Sequence, residues 1–468
     1  MTISHFLYII NRITVYNLEN VQEEKFEEAI MTGNTLGWVI VAFVLYLLMM
    51  IAIGAFYAKG NNNSEDYFLG GRKLNGFVAA LSAQASDMSG WLLMGLPGAI
   101  YLTGVGGDGW IAIGLFIGTT LNWLFIATKL RRYTIRANNS VTLPTYFENR
   151  FHDEKKVLMT VSSITIVVFF LVYCASALSA GGQLFESVFG IDYHVALTIG
   201  ALVVLVYTFL GGFTAVCVTD FIQDMLMLVG ILAVPLFAYH FLTTGGTTLS
   251  AGLEASGADS TNFLNLMKNG DGSNNIVSVI SGLGWGLGYF GMPHILVRFM
   301  AVRDEKEMTK SKATAISWVA LSLGFAVFIG ILGRAYLPEL VNGNNEKVFI
   351  EMIKKVFTME MRAPFIAGLF LCGILAAIMS TADSQLLVSA SSVAEDIFKG
   401  LLKKNADDKT VMNVSRVTVL VVAVLAYIIA WNPNNTVMGL VSNAWAGLGA
   451  AFGPLVVMSL YWKRTNFP

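Results

Sequence analysis

The sequence predicts an all-α integral membrane protein of about eleven spanning helices, on three observations. Apolar residues fill 55% of the 468 positions and charged residues only 13%, about half the charge of a soluble domain. Apolar runs of roughly 20 residues recur from end to end, each long enough to cross about 30 Å of hydrocarbon. The runs are continuously apolar, whereas membrane barrel strands would alternate over about 10 residues. Lipid admits helices or closed barrels and nothing else.

Taken in order, the runs lie near 35–58, 75–103, 108–129, 157–186, 192–210, 214–242, 274–300, 313–336, 364–398, 411–431 and 436–462. Residues 1–34 ahead of them form a polar extension, acidic at Glu19, Glu23, Glu24, Glu27 and Glu28. It lacks the basic segment and apolar stretch of a signal peptide, and Met31 stands directly before the first span, so no transport role is expected of it. Residues 463–468 form a short basic end.

Basic residues set an expected orientation. The loops after the odd-numbered spans carry 22 of the 30 Lys and Arg, among them Arg72, the Lys129–Lys156 group and the group from Arg298 to Lys312. By the positive-inside rule those loops face the cytoplasm, which puts the N-terminus outside and the C-terminus inside.

Two spans read as interrupted. Span two contains Ala85-Ser86-Asp87-Met88-Ser89-Gly90-Trp91 and then Leu96-Pro97-Gly98. Span seven contains the glycine-rich run from Gly282 to Gly291, then Met292-Pro293-His294. Glycine and proline inside a span weaken the helix and free backbone groups, which must find partners in protein or in a water-filled cavity. Glycines also permit close helix packing. Two breaks at an offset of five spans, however, match the pattern of an inverted-repeat transporter with its site at the midplane.

Ionisable residues within spans mark function by default. Here they are Asp87 in span two, Asp220 and Asp224 near the start of span six, and Asp383 in span nine. No Lys or Arg is expected at comparable depth. Unpaired acids there require protons, polar solvation or a mobile cation. Near Asp383, Ser380 and Ser384 share a helix face with Thr381 beside them. Such a cluster serves equally as interhelical hydrogen bonders or as hard-oxygen ligands.

Several classes are excluded or unsupported. A net charge of −1 leaves no basic footprint for nucleic acid. Cys174, Cys217 and Cys372 lie singly in apolar runs without metal spacing. The sequence holds no HExxH, GxSxG or P-loop, so it is not expected to be an enzyme. His294 reads as a hydrogen-bonded structural residue.

These residues resemble the sodium/solute symporter family, and among its members the sodium/proline symporters. The resemblance runs from about residue 35 onward. It rests on Asp66-Tyr67-Phe68-Leu69-Gly70-Gly71-Arg72, the run from Ser86 to Gly98, Tyr173-Cys174-Ala175-Ser176, Gly284 through His294, Met379-Ser380-Thr381 and Val441 through Gly447. It implies a LeuT-like core of five plus five inverted helices. The repeats would be 75–242 and 274–462, with 35–58 as an extra first helix. It implies a sodium ion held by the carbonyls of Ala85, Met88 and Ala377 and the hydroxyls of Ser380 and Thr381, with Asp87 tuning that shell. It implies L-proline against Ser89, Gly90, Trp91, Tyr173, Trp285 and Tyr289. Arg72 is implied in coupling. Asp220, Ser380 and Ser384 fit a second sodium site found in sialic acid symporters, where Asp383 replaces a serine and its role stays open. Sodium is then a co-transported ligand, and no cofactor or obligate protein partner is implied. Another small amino acid or carboxylate, or a transport-fold sensor, stands as the alternative. The family's proline symporters run two helices beyond the point where this chain ends.

Overall fold

A computed structural model describes residues 33–58, 64–210, 212–338, 340 and 343–466; the polar extension lies outside the described residues, apart from Gly33 and Asn34. Among the described residues the chain is helical, without a named strand. Eight helices among the described residues are long and apolar enough to span: Gly33–Phe56, Val105–Arg136, Val157–Phe189, Phe213–Thr244, Glu305–Tyr336, Pro364–Leu402, Asp408–Ala430 and Val437–Tyr461. A ninth is the bent pair Ile276–Gly291 and Pro293–Ala301. Two shorter apolar helices, Trp91–Thr103 and Tyr193–Val206, complete spans two and five, giving the eleven expected runs. Span two opens with Gly76–Asp87.

Local chemistry sets the ends. Asn75 starts span two by accepting Val78 N at 2.9 Å, and Thr436 starts span eleven by accepting Gly439 N at 3.1 Å. Asp304 accepts the N–H groups of Lys306 and Glu307, both at 2.9 Å, at the start of span eight. These caps satisfy donors that have no intrahelical partner. Proline enters where its missing N–H costs nothing, as with Pro364 in the first turn of span nine.

Span nine is the centre of the bundle: 78% of its apolar window is buried, against 33% for span one. It packs on spans one, two, four, six and ten. The glycines of span seven do serve close packing in its first half. A Cβ on Gly114 of span three would lie 2.1 Å from Gly282 O, and one on Gly118 would lie 2.1 Å from Gly286 O. The break itself comes later, at Met292.

Candidate ion and solute site

In span two the helix leaves α geometry at Met88 (φ −85°, ψ 75°). A regular ladder would pair Ser89 N with Ala85 O. Instead Ser89 N turns to Asp87 O at 3.0 Å, and the Ala85 carbonyl is released. Two hydroxyls of span nine take it, Ser380 Oγ at 2.8 Å and Thr381 Oγ1 at 3.2 Å. Ser380 Oγ also lies 3.3 Å from Ala377 O. Four oxygens from a helix break and a facing helix therefore converge in the core, each on a fully buried residue. Met88, buried in the break, receives Ser322 Oγ on its sulfur at 3.3 Å. An all-oxygen set suits a hard cation and disfavours softer metals.

Asp87 stands beside this shell, and three aromatic donors close on it. Tyr289 OH donates to Asp87 Oδ2 at 2.6 Å. Trp91 Nε1 donates to the Asp87 carbonyl at 2.8 Å, and Tyr173 OH does so at 3.4 Å. Ser89 Oγ accepts Trp91 N at 3.3 Å. At Gly90 a Cβ would sit 2.7 Å from Ala180 Cβ, so the backbone of the break lies directly on span four. The Tyr289 ring meets Trp445 edge-on at 5.0 Å, and Trp445 stacks near Trp285 at 6.3 Å. The break of span two thus links Ala85, Ala377, Ser380 and Thr381 of the expected ion ligands with Trp91, Tyr173 and Tyr289 of the expected solute wall, and Trp285 is reached through Trp445.

The second break has its own compensation. Pro293 has no N–H for the carbonyl four residues back, which belongs to Tyr289. Asn122 Nδ2 of span three supplies the missing donor at 2.9 Å. Tyr289 is therefore fixed at both ends, by Asn122 at its carbonyl and by Asp87 at its hydroxyl.

The expectation that no basic residue lies at the depth of the acids is wrong. Arg298, grouped above with the loop residues, is fully buried in the half-helix Pro293–Ala301. Its Nη2 pairs with Asp220 Oδ2 at 3.2 Å. The same nitrogen donates to Ser384 Oγ at 2.6 Å. Nε donates to Ser82 Oγ at 3.1 Å and Nη1 to His294 O at 2.9 Å. The guanidinium also lies over the Phe213 ring, 5.3 Å from its centre. The bend of 47° in span seven aims the second half-helix inward, which a linear reading of ILVRFM at a span's end does not reveal. Asp220 is therefore an ion-pair partner in the core, also accepting Ser82 Oγ at 2.7 Å. Asp383 Oδ1 accepts Ser384 Oγ at 3.4 Å.

His294 also differs from expectation. Its ring nitrogens meet no hydrogen-bond partner among the described residues. It is held by aromatic edges instead, Phe170 at 5.4 Å and Tyr173 at 6.0 Å. Arg72 contacts the ends of spans three and seven. It binds Met300 O at 2.7 Å, Ser140 O at 2.7 Å, Asn139 Oδ1 at 3.0 Å and Thr134 Oγ1 at 3.3 Å, joining the loop before span two to the ends of spans three and seven. One acid escaped the sequence reading altogether. Asp396, buried near the end of span nine, accepts Thr142 Oγ1 at 2.5 Å and Thr145 Oγ1 at 2.7 Å. Its signal was a pair of adjacent acids, Glu395 and Asp396, in the run Val393-Ala394-Glu395-Asp396-Ile397-Phe398.

Comparison with known proteins decides the family. The profile of the Sodium:solute symporter family matches residues 67–468. The chain belongs to that family. It is 46% identical over 431 residues to the sodium/proline symporter of Salmonella typhimurium, covering 91% of this chain and 83% of the relative. It is 45% identical over 417 residues to a high-affinity proline transporter of Bacillus subtilis, covering 89% and 85%. Among solved structures, a sodium-coupled sialic acid symporter in a substrate-bound outward-open state superposes with a TM-score of 0.73 at 21% identity, over 92% of this chain and 88% of that one. MhsT in complex with L-phenylalanine superposes at 0.51 and 17% identity, over 82% and 87%. These likenesses give the fold: the symporter has a LeuT-like helical core preceded by one extra helix. It is a multi-pass membrane protein and a transporter, not an enzyme.

Proposed function

We propose that this symporter takes up L-proline together with sodium by alternating access. The observation that carries the reading is the Ala85 carbonyl, released by the break in span two and met by Ser380 and Thr381. Two residues on, Asp87 accepts from Trp91, Tyr173 and Tyr289. In this reading sodium takes Ala85, Met88 and Ala377 by their carbonyls and Ser380 and Thr381 by their hydroxyls. The solute lies against Ser89, Gly90, Trp91, Tyr173, Trp285 and Tyr289. A zwitterionic imino acid needs backbone donors or a cation at its carboxylate and an apolar or aromatic wall at its ring. The names of the curated relatives support proline as the solute.

The two five-helix repeats would be 75–242 and 274–462, which rock against each other around the breaks. The excess of basic residues on one set of loops favours a cytoplasmic C-terminus. The test is counterflow of labelled proline in proteoliposomes. Exchange is expected with sodium and not with potassium, whose larger shell the oxygen set does not fit. Equal exchange in potassium at fixed pH excludes sodium coupling, and sodium-dependent exchange of another solute but not proline excludes proline.

A further inference from the structure

Arg298 ties together elements that a transport cycle must move. Its four nitrogen contacts reach span two at Ser82, span six at Asp220, its own span at His294 and span nine at Ser384. Ser384 lies one helical turn from Ser380, on the same face, so the guanidinium sits one turn from the hydroxyls of the ion shell. A guanidinium cannot shed its charge in a protein, so it is a fixed cation at that place.

Without the guanidinium, the groups around it would form a second oxygen site. Asp220 Oδ2 and the hydroxyls of Ser82 and Ser384 are the groups it touches. Asp220 Oδ1 and Asp383 Oδ2 are buried and find no hydrogen-bond partner among the described residues. Carboxylate and hydroxyl oxygens with no nitrogen donor among them are the ligand set of a hard cation. A buried carboxylate stripped of its partner is costly and recruits whatever cation can reach it.

We propose that Arg298 is a tethered cation that fills this second site and keeps it from binding a mobile one. The positioning role rests on the first sodium lying at Ala85, Ser380 and Thr381. In a cycle, the fixed charge holds Asp220 neutral to its surroundings, so that sodium released from Thr381 toward Ser384 meets no competing trap. Two consequences follow from charge alone. Removing Arg298 while keeping Asp220 creates an additional sodium site. Removing Asp220 while keeping Arg298 leaves a bare cation one turn from the first sodium and weakens its binding.

The experiment is saturation binding of radioactive sodium to the full chain in lipid nanodiscs, without solute. Arg298→Met is expected to bind one more sodium per chain than the wild type. Arg298→Lys and the double variant Asp220→Asn with Arg298→Met are expected to keep the wild-type number. Asp220→Asn alone is expected to weaken sodium binding about tenfold, and the double variant to recover most of that loss. A folded Arg298→Met protein with the wild-type number of sodium ions overturns the proposal. If Arg298→Met does not fold, Asp220→Asn decides: sodium affinity equal to the wild type, or a double variant no better than Asp220→Asn, overturns it equally. Thr381→Ala in the same assay separates this from the placement of the first sodium. Unchanged sodium binding in Thr381→Ala removes the first site, whereas a normal loss there with no gain in Arg298→Met removes only the tethered cation.

Discussion

Tyr289→Phe removes one oxygen and nothing else. The ring keeps its edge contact with Trp445 at 5.0 Å, and the backbone keeps Asn122 on its carbonyl. What disappears is the hydroxyl, which donates to Asp87 Oδ2 at 2.6 Å and also meets the Thr119 side chain. Asp87 Oδ1 already meets no donor among the described residues, so the variant leaves the whole carboxylate without one. Leaving a buried acceptor unsatisfied costs about 1–3 kcal/mol, with the upper part of that range fitting a charged group. About 2 kcal/mol corresponds to roughly thirtyfold in an equilibrium constant. Asp87 also holds Trp91 and Tyr173 through its carbonyl, so a displaced Asp87 should disturb both the proposed ion shell and the proposed solute wall. The assay is labelled proline uptake in proteoliposomes across a sodium series. The half-saturating concentrations of sodium and of proline should both rise, by about ten- to a hundredfold in the product of the two. If both stay within twofold of the wild type, Asp87 is not held by Tyr289 in the binding-competent state, and its role in joining the two sites falls.

Two further outcomes follow. Lys155→Cys, in a background lacking the three native cysteines, should resist a membrane-impermeant thiol reagent applied to intact cells, and rapid labelling there reverses the proposed orientation; Lys155 is exposed, whereas Asn139 in the same loop is engaged by Arg72. Asp396→Ala strips the shared acceptor from Thr142 and Thr145 and should lower stability by about 1–3 kcal/mol, read as a drop in thermal midpoint in detergent, while Asp396→Asn, which keeps an acceptor oxygen, should lose less.

The spans were legible because length and continuous apolarity are properties of a linear window. Span five was expected at 192–210 and forms Tyr193–Leu210, and span nine was expected at 364–398 and forms Pro364–Leu402. The break in span two was legible for the same reason, since Ser-Asp-Met-Ser-Gly cannot pass as a lipid-facing helix. Arg298 was not. A single charge near a span's end averages into its neighbours, and whether it snorkels or turns inward depends on the 47° bend that follows Gly291. Asp396 hid likewise, because its partners Thr142 and Thr145 come from a helix 251 to 254 residues away in sequence. His294 was expected to need a hydrogen bond, but the aromatic rings around it come from span four, which no local pattern announces.

The proposed division of labour between the two broken spans and span nine is tested by making them fail differently. Binding of two ligands at adjacent sites is linked, and the linkage is reciprocal. Thr381→Ala deletes a hydroxyl that lies 3.2 Å from the Ala85 carbonyl and removes one proposed ligand of the ion. It should raise the sodium concentration for half-maximal uptake and weaken apparent proline binding mainly when sodium is scarce. Saturating sodium should recover much of that loss. Trp285→Ala deletes a half-buried ring that faces Trp445 at 6.3 Å, while the Trp285 carbonyl still accepts Trp445 Nε1 at 2.8 Å through the backbone. The local frame therefore survives, and the loss is the aromatic wall itself. Removing it should cost about 1–3 kcal/mol of apolar contact with the solute. That is about tenfold to a hundredfold weaker proline binding. Sodium cannot restore a contact made by the solute alone, so the deficit should persist at every sodium concentration. The measurement is proline binding titrated at several fixed sodium concentrations for both variants. If high sodium rescues Trp285→Ala and leaves Thr381→Ala impaired, then ion and solute are assigned to each other's places. The released Ala85 carbonyl would then belong to the solute's site, and the oxygen set of spans two and nine would need another occupant.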